Sequence, residues 1–112
     1  MEKDEKVFKT ERIKWINKLN INDWDIGYLI DNGLINDFNK ANGYVMLNPE
    51  GRKATICLCK NREQNASIEK IAKHECLEIL LADIGFLLKR YYSEEVIEDE
   101  THKVINKLMV AL

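Results

Sequence analysis

Charge of one sign is missing from this chain: 17 lysines and arginines are interspersed with 19 aspartates and glutamates, for a formal net charge of -2. No basic stripe forms, so the electrostatic footprint of a nucleic-acid-binding or anionic-membrane-binding protein is absent. A stacking mode of nucleic-acid binding would require Trp15, Trp24 and Tyr91-Tyr92 to be exposed. Long apolar runs are missing too. The most apolar stretch, Ile79 to Leu88, is interrupted by Asp83 and Gly85 and is too short to span a bilayer. Met1-Glu2-Lys3-Asp4-Glu5-Lys6 lacks the apolar stretch of a signal peptide, which predicts a cytoplasmic protein whose three cysteines stay reduced. Cys57 and Cys59 are two apart with no second pair to complete a zinc knuckle, so they are expected as half-buried strand residues. There is no internal repeat, low-complexity tract or linker, and 112 residues with 46% hydrophobic content suit one domain spanning 1–112.

Within that domain the hydrophobic periodicity changes along the chain. Residues 1–6 are a charge run expected to fray, and Phe8, Trp15 or Ile16, and Leu19 then recur at helical spacing from about Val7 to Leu19. Trp24, Ile26, Tyr28 and Ile30 alternate with Asp25, Gly27, Leu29 and Asp31, the period of a half-buried strand. Asp31-Asn32-Gly33 carries a turn signal, followed by an asparagine-rich segment reaching Asn42. Gly43 to Leu47 and Arg52 to Lys60 read as a hairpin around the turn Asn48-Pro49-Glu50-Gly51. Ser67 is placed to cap a helix running at least to Ala82 and as far as Leu88, with Gly85 a candidate break. Ser93-Glu94-Glu95 opens a final helix with Ile97, Val104 and Leu108 on one face and Glu100 on the flank of that row. This order predicts an α+β fold: a small antiparallel or mixed sheet of about three strands, with an N-terminal helix, a motif helix and a C-terminal helix.

The motif helix holds the chemistry. His74-Glu75-Cys76-Leu77-Glu78 matches the zinc-protease pattern H-E-x-x-H at four of its five positions and differs at the last. At about 100° per residue, His74 and Glu78 lie one above the other while Glu75 is one step around the helix. Two ligands four residues apart can grip one metal ion, and the glutamate beside the first can accept a proton from water. His74 and Glu78 are therefore candidate ligands and Glu75 the candidate general base. Glu100 is the expected third ligand, because His102 falls roughly 140° from Ile97 and should meet solvent. The same string also has a plainer reading, with the glutamates paired to Lys70, Lys73 or Lys107 and His74 a satisfied core histidine.

Ile13-Lys14-Trp15 and Asn22-Asp23-Trp24-Asp25-Ile26 precede a hairpin, Ala72-Lys73-His74-Glu75 lies on a helix, and Glu100 to Leu108 falls in the last helical stretch. In this order the chain resembles the small zincin-like metallopeptidases of phages and prophages. The resemblance implies a zincin-like fold, a bound zinc ion and a peptide or protein substrate. It makes His74 the first ligand, Glu75 the catalytic base and Glu100 the third ligand. Glu78 departs from the family pattern. One histidine with two carboxylates would lower the net charge of a divalent site from about +1 to about 0, so that harder ions such as manganese or magnesium would compete better with zinc. If Glu78 does not bind, what is implied is an inactive zincin-like scaffold acting as a protein-binding module.

Overall fold

The computed structural model describes residues 2–32, 42–63 and 65–112. Helix α1 (Glu2–Lys18) leads into strand β1 (Asp25–Asp31); β2 (Gly43–Asn48) and β3 (Lys53–Cys59) follow, then helices α2 (Ile68–Leu88) and α3 (Glu94–Ala111). The architecture is the expected α+β arrangement, and its three-stranded sheet is mixed. The order is β1-β3-β2, with β1 parallel to β3 and β2 antiparallel to it. Of the turn expected at Asp31-Asn32-Gly33, Asp31 is the last residue of β1 and Asn32 follows it, while Gly33 and the asparagine-rich segment as far as residue 41 lie outside the described residues. Among the described residues no helix is long and apolar enough to cross a membrane.

β3 is the central strand, and its cysteines are buried rather than half-buried. An inner strand has neighbours along both edges, and here Ala54, Ile56 and Leu58 and, on the opposite face, Cys57 and Cys59 are all buried. Ile56 and Leu58 join Phe8, Trp15, Ile71, Ala72, Cys76 and Ile79 in the main core, so α1 and α2 cover one face of the sheet. Trp15 and Trp24 are both buried in this core, which removes them as stacking platforms for a nucleic acid.

The N-terminal charge run is helical from Glu2 rather than frayed. It has partners across the fold: the Asp4 carboxylate is 2.6 Å from the Arg62 guanidinium, and the Tyr28 hydroxyl donates to Glu5 at 3.1 Å. Helix α2 also runs on through Gly85, where an added Cβ would meet only Ile97 Cγ2 at 3.7 Å, an ordinary contact. Its start is capped as expected by Ser67, whose side chain accepts from the Lys70 amide at 3.2 Å. Farther along, Asp83 accepts from Arg52 at 2.6 Å, and the same guanidinium pairs with Asp23 and lies over Trp24. The middle of α2 is thereby tied to the turn between β2 and β3.

Helix α3 packs on α2 through the predicted row with one member exchanged. Ile105 is fully buried, whereas Val104 is 43% exposed. Two adjacent β-branched residues compete for one inward position, and burying Ile105 in place of Val104 turns the helix by less than the roughly 100° that separates them, so Ile97 and Leu108 stay on the inner side. Ile97, Thr101 and Leu108 share its side at intervals of four, four and three residues. Lys73 locks this docking by donating to the Met109 carbonyl at 2.7 Å.

Candidate metal centre

His74 and Glu78 enter the site from successive turns of α2, with Glu75 one step around the helix from His74. His102 enters from α3, three residues before buried Ile105 and so on the adjoining helical row. The Nε2 of His102 lies 3.2 Å from Glu78 Oε1, and the Nε2 of His74 lies 3.9 Å from the same oxygen. The two imidazoles face each other with centroids 5.9 Å apart and planes 28° from parallel. One donor atom from each of His74, Glu78 and His102 falls within 4.8 Å of the others.

Glu100, the expected third ligand, is outside this group. Its side chain is 65% exposed and accepts from Lys103 at 2.9 Å. The rotation that buries Ile105 sets Glu100 about 140° away from it and carries His102 inward. The sequence signal for His102 is its spacing from Ile105, which a helical row through Val104 does not show.

The group fits a metal ion by the chemistry of its donors. Two imidazole nitrogens and one carboxylate oxygen form a ligand set used by catalytic zinc sites of peptidases. At ligand distances of about 2.0–2.2 Å, a tetrahedral ion spaces its donors by roughly 3.3–3.6 Å. The observed 3.2 and 3.9 Å bracket that spacing, and small side-chain rotations of half-exposed groups close the rest. Burial, the largest influence on His74, lowers its pKa and favours the neutral form that ligates; nearby His102 acts in the same direction, while the Glu78 charge opposes it. With a divalent ion the site carries a net charge of about +1, not the near-neutral balance implied by a Glu78 and Glu100 pair.

Glu75 is buried and lines the same cleft as His74, a space of about 470 Å³ that also reaches Asn42, Ser67, Lys70 and Met109. Burial pushes its pKa up to about 8, and the Glu78 charge adds to the rise. Gly43 lies beside it, and the missing side chain spares Ile71 and the β3 backbone. A Cβ there would come within 2.6 Å of Ile71 Cγ2 and 2.8 Å of the Cys57 carbonyl oxygen, and within 3.6 Å of Glu75 Oε2. The close approach of β2 to α2 thus depends on the missing side chain, and it is what encloses the carboxyl group.

No family model matches the chain, and no curated protein or solved structure shows significant similarity to it.

Proposed function

We propose that the protein is a metal-dependent peptidase of the zincin-like kind found in phages and prophages, with His74, Glu78 and His102 as ligands of a zinc ion. The observation that carries this reading is the convergence of the three side chains from α2 and α3, with Glu75 in the adjoining cleft. When bound, the ion supplies Lewis acidity for the hydrolysis of a peptide bond. His74 and His102 donate through neutral ring nitrogens, and Glu78 neutralises part of the charge. Glu75 is not a ligand. Above its raised pKa of about 8, or below it where the charge of a bound cation would lower that pKa, its carboxylate oxygen takes a proton from the attacking water and delivers it to the leaving amine nitrogen. The buried position of Glu75 restricts the water that competes for that proton. Manganese is the alternative ion, though the two imidazoles favour zinc. Three buried free thiols fit a reducing compartment, and we assign the protein to the cytoplasm.

Elemental analysis of protein purified without a metal-affinity column tests the site, with about one zinc per chain expected. Glu75→Gln should then abolish peptide hydrolysis while keeping the metal, because it removes the proton acceptor and no ligand. A metal-free protein that also fails to take up added zinc would overturn the reading. A second reading, a non-catalytic module acting by contact, is favoured by the apolar residues exposed where α2 turns into α3. Leu87 is 71% and Tyr91 79% exposed, with Ile84, Tyr92 and Val96 exposed nearby. Under that reading, polar substitutions at Leu87 and Tyr91 damage function and Glu75→Gln does not.

A further inference from the structure

A second cleft meets the candidate metal centre from the other side. It occupies about 320 Å³ between α2, α3 and β2, and Glu78 forms part of its wall. Leu47, Leu81, Phe86 and Ile97 supply an apolar lining, while Glu94 and Glu98 stand at its α3 side. Glu94 is offset by Lys89, whose ammonium lies 3.5 Å away. Glu98 leaves the mouth negatively charged. An apolar trough ending in a carboxylate is complementary to a side chain with a long methylene stem and a cationic head. A leucine would fill the trough but leave the carboxylate unanswered, and an acidic side chain would be repelled.

From this complementarity we infer that the α2–α3 cleft is a specificity pocket for a lysine or arginine side chain of a peptide. The stem lies along Leu81, Phe86 and Ile97, and the head reaches Glu98. Continuity through Glu78 places the residue beside the candidate metal centre. As the selector of the cleavage position, the pocket rests on the peptidase reading; as a binding site for a basic side chain, it stands without it. Glu98 is a specificity residue and has no part in the proton transfers assigned to Glu75.

The test separates the two. Blocked tripeptides Ac-Gly-X-Gly-NH2, with X as lysine, leucine or glutamate, are titrated into the ¹⁵N-labelled protein, with and without added zinc, and amide shifts are followed by NMR. The lysine peptide should perturb Leu81, Gly85, Phe86 and Ile97 and bind at least about fivefold more tightly than the leucine peptide. The glutamate peptide should bind weakest. Glu98→Lys, at an exposed position that should leave the fold intact, should reverse the preference between lysine and glutamate. Equal or tighter binding of the leucine peptide would overturn the inference in favour of a simple apolar pocket. Shifts confined to other surfaces, or an unchanged preference in Glu98→Lys, would also overturn it. Lysine selectivity in a protein that takes up no zinc would uphold the pocket and reject the peptidase reading. Zinc binding without lysine selectivity would do the reverse.

Discussion

His102 Nε2 and Glu78 Oε1 approach to 3.2 Å across the junction of α3 and α2. In the H-E-x-x-H pattern with an acidic third ligand, the second imidazole belongs to the motif helix and the carboxylate to the later helix. Set beside that pattern, the proposed site has the imidazole and the carboxylate in each other's places. The departure at Glu78 therefore does not by itself cost the site an imidazole, because His102 supplies one from the other side.

The assignment of the third ligand separates His102 from Glu100. His102→Ala should weaken zinc binding by about 100-fold or more, since loss of a direct ligand should cost at least as much as loss of an outer partner that orients one. Glu100→Ala should leave affinity within about twofold, because that carboxylate pairs with Lys103 on the exposed side of α3. Competition against a chromophoric zinc chelator measures both. Equal losses in the two variants would mean that α3 turns from the orientation described.

Gly43 offers a test of how the sheet supports the centre. An alanine there must displace Ile71 or the β3 backbone, since its Cβ would lie 2.6 Å from Ile71 Cγ2 and 2.8 Å from the Cys57 carbonyl oxygen. Overpacking of this kind costs about 1–3 kcal/mol. Urea denaturation of Gly43→Ala should show a loss in that range. Gly27→Ala provides the control for a strand glycine with nothing within 4 Å of its added Cβ. Similar stabilities for the two variants would argue against the close contact of β2 with α2.

Much of this fold was legible because local signals agreed with it. Ser67 and Ser93 each precede an apolar helix and each accepts from the amide three residues on, at 3.2 and 3.3 Å. What could not be read locally was strand order. The parallel pairing that places β3 between β1 and β2 joins residues far apart in the chain, such as Ile26 and Ala54, and no turn signal announces it. The phase of α3 was ambiguous for another reason: Val104 and Ile105 are equally suited to burial, and only packing against α2 selects Ile105. That one choice decided the candidate site. His74, Glu75 and Glu78 were visible in the motif, and His102 was not.

The thiol of Cys57 predicts a loss of stability in alkali. Burial pushes its pKa up to about 11; Asp31 of β1, Cys59 of β3 and Glu75 of α2 raise it, and a hydrogen bond with Tyr44 of β2 opposes them. A free thiol titrates near 8.5. The folded state thus holds the proton more tightly than the unfolded state. The associated stability is fully present below about pH 8.5 and is lost as pH rises toward 11. Denaturation midpoints should fall over that window. In Cys57→Ala the fall should be shallower, after allowance for the other groups that titrate there. The same slope in both proteins would show that the Cys57 thiol is not the source.

The proposed ligands on the two helices can be swapped experimentally. Glu78→His alone restores H-E-x-x-H but assembles three imidazoles with no carboxylate, raising the charge of a divalent site to about +2. His102→Glu alone leaves one imidazole and two carboxylates, with a charge of about 0 and a weaker hold on zinc. The double variant recovers two histidines and one glutamate. Because Glu78 and His102 are already neighbours at 3.2 Å, the two changes should not act additively. Zinc affinity and peptide hydrolysis should return toward wild type in the double variant, well above the product of the two single effects. The reach of the side chains differs, so a modest loss of thermal stability is expected alongside. Additive losses in a folded double variant would mean that Glu78 and His102 do not hold a common ion.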